Sequence, residues 1–315
     1  MSAPTLVDLF AGCGGFSLGF EEQGFEILAA VEGFRTACET YAHNIHVGTV
    51  LEADVRNVGA ADFGKTPDVL IGGPPCEAFT IARTDRRADP LDRLYHDPRG
   101  SLTLRFLQLL RETKPRAFVM ENVPQILDGP LASEIRMLAA RCGYPDIHFN
   151  ELRAEEHGTP SRRRRVFISN LALGPRPQGK VLTVRDAIGD IVSLDVDLPN
   201  HLAMEIRGKR GKMIEQVATG ESVYHYRSAT GKRHGTWTRL AWDEPAPTIM
   251  GLARFVHPSE DRLLTGREHA RLMGYPDDFV FHGSKNEVYN QVGESVPPPL
   301  SRAIAGEVRR GLSGS

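Results

Sequence analysis

Residues Thr5–Gly15 read TLVDLFAGCGG, a short apolar run that ends in a glycine-rich turn. The run is too short for a helix and suits a buried strand, and a helical pattern follows it as far as Gly24. Strand, glycine turn and helix form the opening unit of a doubly wound α/β fold, whose ligands bind beside the turn. A strict dinucleotide fingerprint needs a third glycine where Ser17 stands, which disfavours a nicotinamide-dependent oxidoreductase.

The same alternation of strand and helix continues through the first half of the chain. Further short apolar runs at 25–31, 69–71, 117–120 and 166–168 predict strands of the same sheet. After residue 170 the composition becomes polar and the hydrophobic pattern irregular, with prolines and glycines that suggest a linker. We therefore predict an α/β fold with a Rossmann-like, doubly wound, mostly parallel sheet. A catalytic and cofactor domain at 1–170 would be completed by 283–315, and 171–282 would form a smaller, irregular domain.

Composition places the chain among ordinary globular proteins. Hydrophobic residues make up 41% and charged residues 25% of the 315 residues, which is typical of a soluble protein. Neither a membrane-spanning run nor a signal-peptide layout is evident, so we expect a cytoplasmic location and no membrane partner. The four cysteines lie at 13, 38, 76 and 142, a spacing that fits neither a disulfide framework nor a zinc site. We expect a monomer without metal.

Charge is unevenly distributed along the chain. The formal net charge is −2, but residues 201–240 contain eight Lys or Arg against three Glu, which gives +5 there and −7 elsewhere. Such asymmetry indicates a cationic face that binds phosphate groups, whereas a merely solvated charged surface is the alternative.

One cysteine stands in an unusual setting. Gly72–Cys76 reads GGPPC directly after the apolar run at 69–71. The two prolines fix the backbone and so aim the Cys76 thiol toward the ligand edge of the sheet, although an inert cysteine would fit the same pattern. Glu121 ends another apolar strand, where an acidic residue needs a partner or a catalytic task. Arg163 and Arg165 alternate along an extended segment and would share one face.

Acidic residues at strand ends indicate a nucleoside pocket. Glu32 lies about 20 residues beyond the glycine turn, where a carboxylate suits ribose hydroxyls. Phe34 could stack on a base, and Asp54 could accept a hydrogen bond from an adenine amino group. Each residue alone is more often a solvated surface group, but the series favours the pocket.

Six motifs together resemble the cytosine-C5 DNA methyltransferases, in the right order and over nearly the full chain. The matching segments are Asp8–Gly15, Gly73–Cys76, Glu121–Val123, Arg163–Arg165, Arg262–Glu268 and Gln291–Pro299. The resemblance implies that the helix after the last motif packs back beside the first motif. Two positions depart from the family pattern, with Glu77 in place of Gln and Glu294 in place of Asn.

The resemblance implies a chemistry and a cofactor. Cys76 would add to C6 of a flipped-out cytosine, Glu121 would hold the N3/N4 edge, and Arg163 and Arg165 would orient the base. The methyl donor would be S-adenosylmethionine. The residues expected to bind it are Phe10, Gly12, Gly14, Gly15, Glu32, Phe34, Asp54, Pro75 and Leu102.

The resemblance also implies double-stranded DNA as the partner. An arginine-rich loop at 78–99 would close over the extruded base, and the smaller domain would recognise the target sequence. The expected DNA-binding residues are Arg83, Arg86, Arg87, Arg227, Arg233, Arg239 and Thr248. Since the family serves DNA methylation in restriction-modification, a cognate restriction endonuclease acting independently is a partner that the resemblance allows.

Two other functions stay open at this point. An RNA cytosine-C5 methyltransferase acting on tRNA would use the same scaffold, but the chain lacks the Cys-Phe-Thr tripeptide of that branch. A catalytically silent DNA-binding relative should have lost the nucleophile or the acid, whereas Cys76 and Glu121 are both present.

Overall fold

The computed structural model describes residues 2–81, 85–191, 193–204, 206–228 and 231–313 of the chain. The strands are β1 (Thr5–Leu9), β2 (Glu26–Glu32), β3 (Val47–Glu52), β4 (Val69–Gly72), β5 (Ala117–Asn122), β6 (His148–Arg153), β7 (Arg164–Ser169), β8 (Ser222–Arg227), β9 (Arg233–Arg239) and β10 (Phe255–Val256). The α-helices are α1 (Gly15–Glu22), α2 (Arg35–Asn44), α3 (Pro90–Tyr95), α4 (Ser101–Thr113), α5 (Leu131–Arg141), α6 (Val184–Ile188), α7 (Lys209–Gln216), α8 (Gly266–Leu272), α9 (Lys285–Glu294) and α10 (Pro298–Ser313).

A seven-stranded sheet organises the molecule, with the strand order β3-β2-β1-β4-β5-β7-β6. The strands from β3 to β5 pair in parallel, whereas β7 runs antiparallel to both of its neighbours. The predicted doubly wound, mostly parallel sheet is therefore confirmed. The chain changes direction across the sheet between β1 and β4, and ligands of such folds bind at the carboxyl ends of these two strands.

The central strands are buried on both faces. Every residue of β1, β4 and β5 is buried, which explains why these strands are read as continuous apolar runs. Along β1 the side chains alternate, so that Leu6 joins one apolar cluster and Val7 and Leu9 join another. Helices α1 and α10 cover the first face, and α4 and α5 cover the second.

The last helix packs closely against the first. A Cβ atom on Gly19 of α1 would lie 2.3 Å from the backbone nitrogen of Arg302 in α10, so only glycine allows this crossing. Beside it, the Ser301 hydroxyl donates a hydrogen bond to the carbonyl oxygen of Phe16. The expectation that the C-terminal helix returns to the first is confirmed.

The segment 171–282 holds a second sheet that the sequence did not predict. Strands β8 and β9 form an antiparallel hairpin, and β10 adds to β9 in parallel. A small apolar cluster of Ile214, Val256 and Leu263 lies beneath this sheet. Helices α6 and α8 instead contribute side chains to the cluster that contains Leu6. The predicted domain boundaries are not tested by these contacts and stay a prediction.

Candidate active site

Cys76 lies at the carboxyl end of β4, beside the point where the chain changes direction across the sheet. Its carbonyl oxygen accepts hydrogen bonds from the backbone N–H groups of Phe79 and Thr80, each at 2.9 Å, which closes a tight turn after the two prolines. The Asn122 side chain at the end of β5 donates to the carbonyl oxygen of Pro74 at 3.2 Å. The cysteine is therefore held by both its own turn and the neighbouring strand.

The Cys76 thiol is protonated at neutral pH. Burial raises its pKa to about 11, against the opposing effect of the nearby Arg165 guanidinium. The carboxylates of Glu121 and Glu77 raise the pKa further, whereas Arg163 lowers it. The thiolate that nucleophilic attack requires must therefore form by loss of the thiol proton during the attack itself.

Glu121 and Arg165 form an ion pair on the neighbouring strands. The Arg165 Nε atom lies 2.9 Å from Glu121 Oε1, and both side chains are largely buried. The other carboxylate oxygen, Oε2, lies 3.4 Å from the point where a Cβ on Gly73 would stand, which places the carboxylate in van der Waals distance of the turn before Cys76. This arrangement leaves a carboxyl group at the wall of the same pocket as Cys76.

Arg163 connects the pocket to two distant segments. Its Nη1 atom donates to the carbonyl oxygens of Ile249 and Gly293, each at 3.0 Å. Burial lowers its pKa to about 9, with a further contribution from the Arg165 charge, so the guanidinium still carries its proton at neutral pH. Within the described residues, its buried Nε atom has no hydrogen-bond partner. The pair Arg163 and Arg165 shares one face, as the alternation predicted.

The glycine turn after β1 fits a nucleoside cofactor. Gly12 has a φ of +54°, and nothing lies within 4 Å of the place where its Cβ would stand, so the turn faces open space. Its N–H donates to Glu32 Oε2 at 2.8 Å, and the Phe34 N–H donates to Glu32 Oε1 at 2.9 Å. These bonds orient a carboxylate whose remaining lone pairs can accept from hydroxyl groups. Phe34 itself is 75% exposed, an aromatic ring available for stacking.

Phe10 precedes this turn with a φ of +58°, a conformation that is unusual for a bulky residue and typical of functional sites. Its ring packs partly buried against the apolar cluster of the second face, as does Leu102 of α4. Pro75 is partly buried in the turn that carries Cys76. Contact of these residues with the cofactor remains a prediction.

Other predicted cofactor residues have local structural tasks. A Cβ on Gly15 would lie 2.2 Å from the Tyr275 hydroxyl, and one on Gly14 would lie 2.9 Å from Ile45 Cγ1, so close packing accounts for both glycines. The Asp54 carboxylate forms an ion pair with Arg56, which lowers the Asp54 pKa to about 2. The predicted bond from Asp54 to an adenine amino group is not tested.

The loop after the nucleophile is fastened by an aspartate that the sequence analysis missed. Asp128 Oδ2 lies 3.1 Å from Arg93 Nη1 and 3.4 Å from Arg86 Nη1. Arg86 also donates to the carbonyl oxygen of Phe79 at 2.7 Å. Arg86 thus supports the shape of the loop, and its contact with DNA stays a prediction. No sequence signal pointed to Asp128, because a lone surface aspartate is common.

The remaining DNA-binding candidates fall into different settings. Arg87 is exposed, and Arg83 lies outside the described residues. Arg227 and Arg233 are both exposed and stand opposite each other across the β8–β9 hairpin. Two like charges in directly opposed positions are unfavourable unless an anion binds between or above them. The Thr248 hydroxyl donates to the carbonyl oxygen of Arg162 at 2.7 Å.

Arg239 contradicts the prediction that it binds DNA. It is only 7% exposed, and its guanidinium donates to the carbonyl oxygens of Val217 at 2.8 Å, His257 at 3.0 Å and Ile214 at 2.8 Å. A further ion pair at 2.6 Å joins it to Asp261. Every nitrogen of the side chain is therefore used inside the protein, where it ties the second sheet to its surroundings.

In the described parts of the chain, no group of three or more His, Cys, Asp or Glu side chains is arranged to hold a metal ion. No described helix is long and apolar enough to cross a membrane.

Comparison with known proteins now identifies the family. The model of the C-5 cytosine-specific DNA methylases matches residues 5–310. The Methanocaldococcus jannaschii protein M.MJ0563P, named as a candidate type II methyltransferase, is 43% identical over 98% of this chain and 100% of its own length. The type II methyltransferase M1.HphI of Haemophilus parahaemolyticus is 35% identical, over 96% of this chain and 85% of its own.

Solved structures agree with the sequence comparisons. A candidate DNA modification methyltransferase encoded within an Escherichia coli prophage superposes with a TM-score of 0.77 at 26% identity, covering 99% of this chain and 100% of the other. The chain therefore belongs to the C-5 cytosine-specific DNA methylase family. This family uses S-adenosylmethionine as its methyl donor, and the predicted class of enzyme and cofactor are confirmed.

Proposed function

We propose that this chain methylates C5 of a cytosine extruded from duplex DNA, with Cys76 as the nucleophile. The observation that carries the proposal is the meeting of the Cys76 thiol with the Glu121–Arg165 pair at the ligand edge of the sheet. The electrostatic coupling of Arg163 to Cys76 and Glu121 adds a second cation to the same pocket.

The pocket residues divide the task among them. The Cys76 thiolate would add to C6 of the ring, and the new C6–S bond turns C5 into the nucleophilic end of an enamine. Glu121 would hold the N3/N4 edge and give a proton to N3 as negative charge develops there. Arg165, fixed by Glu121, would orient the base together with Arg163. Once C5 carries the methyl group, loss of its proton would expel the Cys76 thiolate from C6, and N3 would return its proton to Glu121.

The cleft beside the pocket would hold S-adenosylmethionine. When bound, this cofactor supplies the electrophilic methyl group. Glu32 would accept from the ribose hydroxyls, and Phe10 and Phe34 would flank the adenine ring. The open face of the Gly12 turn leaves room for the methionine portion. Asp54, Pro75 and Leu102 complete the proposed set, and Gly14 and Gly15 shape the turn.

DNA would lie across the pocket and the second sheet. We propose that segment 171–282 recognises the target, with Arg227, Arg233 and Thr248 on its DNA side. Supporting this, the two exposed arginines oppose each other in a hairpin that gains from a nearby phosphate. Arg83, Arg86 and Arg87 would approach the backbone from the loop after Cys76. Extrusion of the base costs a few kcal/mol, which these contacts offset.

The proposed setting in the cell follows from the substrate and the relatives. We propose a monomeric enzyme that acts on DNA in the cytoplasm. Relatives are named as type II methyltransferases, so a cognate restriction endonuclease acting independently is part of the proposal.

The test measures transfer of labelled methyl groups from S-adenosylmethionine to duplex DNA and, in parallel, to total tRNA. We expect 5-methylcytosine in the DNA, and its position by bisulfite sequencing would give the target sequence. Incorporation only into tRNA would overturn the proposal in favour of the RNA alternative. Absence of incorporation into either, with DNA binding intact, would support a silent relative.

A further inference from the structure

Glu77, the residue after the nucleophile, has a carboxylate oxygen that lacks a partner. Its Oε2 atom is buried and accepts no hydrogen bond in the described part of the chain. Buried carboxylate oxygens without partners are rare, because desolvation costs free energy that no bond offsets. Packing or stability does not account for this side chain. A ligand that brings positive charge to the cleft would account for it.

Glu294 is equally unfavourable for the fold. It is the last residue of α9, where the helix dipole presents its negative end and disfavours a carboxylate. The side chain is exposed at the cleft, and Oε1 lies 3.4 Å from the point where a Cβ on Gly251 would stand. It forms no ion pair with any residue that the structure describes. Glu77 and Glu294 thus bring two carboxylates near the cleft, and one oxygen of Glu77 is buried without a partner among the described residues.

The end of α9 lies between the cofactor turn and the base pocket. On one side the Cys13 thiol of the glycine turn contacts the carbonyl oxygen of Gln291 at 3.4 Å. On the other side Arg163 binds the carbonyl oxygen of Gly293 at 3.0 Å. Glu294 therefore stands at the junction of the two sites.

The carboxylates influence one another across the opening. Although Glu294 as a residue is exposed, the atoms around its carboxyl group desolvate it and raise its pKa, and the negative charges of Glu77 and Glu32 raise the pKa further. The Arg163 charge lowers the Glu294 pKa, but it is the weakest of these four influences. The cleft thus has a surplus of negative charge beside Cys76.

We infer that Glu77 and Glu294 make the donor cleft select by charge, favouring the cationic sulfonium of S-adenosylmethionine over the neutral thioether of its product S-adenosylhomocysteine. This inference rests on the proposed function of the cleft. Donor and product share the adenosine, the α-ammonium and the α-carboxylate, and differ only at sulfur. Carboxylates near the sulfur of the bound ligand would therefore attract the sulfonium of the donor, and the neutral thioether of the product would lack this attraction.

The experiment measures dissociation constants by calorimetry for both ligands and compares their ratio among variants. Glu77→Gln, Glu294→Gln and the double variant remove charge while keeping side-chain length. A matched control is Glu307→Gln on α10, whose carboxylate already pairs with Arg310. We expect the preference for the donor over the product to fall about tenfold in the double variant and to stay unchanged in the control.

Two outcomes would overturn the inference. If both ligands lose affinity equally, the carboxylates bind the shared α-ammonium instead of distinguishing the sulfur. If neither affinity changes, they do not act on the ligand at all. Thermal unfolding of each variant establishes that it is folded.

The wild-type enzyme provides an independent measurement. Added salt should weaken binding of the donor, and of the amine analogue sinefungin, more than binding of the product. Equal salt effects on all three ligands would overturn the inference. This measurement uses the wild-type enzyme and therefore does not depend on whether the variants fold. Because binding is measured without turnover, the Cys76→Ala variant can be used as well. A failure of methyl transfer is thereby separated from a failure of charge selection.

Discussion

Replacement of Glu121 by glutamine tests how the pocket activates the base. The change keeps the volume of the side chain but removes the charge that pairs with Arg165 at 2.9 Å and the proton proposed for N3 of the ring. General acid catalysis of this kind contributes about 10²- to 10⁴-fold, or about 3–5 kcal/mol of the activation barrier. We expect the single-turnover rate of methyl transfer to duplex DNA to fall by that factor.

Stability should change much less than the rate. Arg165 keeps its hydrogen bond to the carbonyl oxygen of Arg164 at 2.8 Å, so loss of the carboxylate charge should cost about 1–3 kcal/mol of unfolding free energy. The matched control is Glu151→Gln, whose partner Arg164 belongs to the same arginine run but lies on the exposed side. The control should methylate at nearly the wild-type rate. A Glu121→Gln enzyme within about threefold of wild type would refute the assigned role, because it falls below the smallest expected effect.

Three further predictions concern packing, the thiol and the DNA-binding surface. Gly19→Ala should lower the unfolding free energy by about 1–3 kcal/mol in chemical denaturation, because the added methyl meets backbone of the last helix; unchanged stability would contradict that contact. The rate of alkylation of Cys76 is obtained as the difference between the rates of wild type and of Cys76→Ser. At pH 8 this rate should be about a hundredfold lower than that of an ordinary thiol. It should rise with pH toward about 11 as the thiolate forms, and a plateau below pH 9 would contradict the raised pKa. Alanine at Arg227 or Arg233 should weaken DNA binding and reduce its salt dependence, as measured by fluorescence anisotropy. Alanine at Arg239 should instead lower thermal stability and leave the salt dependence of DNA binding unchanged. Unchanged stability together with a reduced salt dependence would show that Arg239 contacts DNA and does not act as a structural residue.

Sequence patterns were most informative where one physical cause dominates. Strands such as Val69–Gly72 are buried on both faces, so their apolar character alone identifies them. The turn around Cys76 could be located because proline restricts the backbone locally. The positions of Glu32 and Glu121 at strand ends likewise followed from the direction of parallel strands, and the structure brings them to one edge of the sheet.

Features that depend on distant contacts could not be predicted. Arg239 belongs to a basic segment and looks like a phosphate ligand, yet it donates to carbonyl groups of residues up to 25 positions away. The attachment of the loop through Asp128 depends on arginines 35 and 42 residues earlier in the chain. The β8–β9 hairpin mixes polar residues with a valine and three aromatic residues, and this weak alternation hides a strand pattern. For Arg239 and Asp128 the decisive partner is remote in sequence.

The central claim is a covalent bond between Cys76 and C6 of the target cytosine. Its most direct test incubates the enzyme with S-adenosylmethionine and duplex DNA whose target base is 5-fluorocytosine, which blocks the release step. Intact-mass measurement of the denatured product should show enzyme joined to DNA for wild type and none for Cys76→Ser. Failure of the wild-type enzyme to form the complex, or an equal yield from Cys76→Ser, would contradict the mechanism.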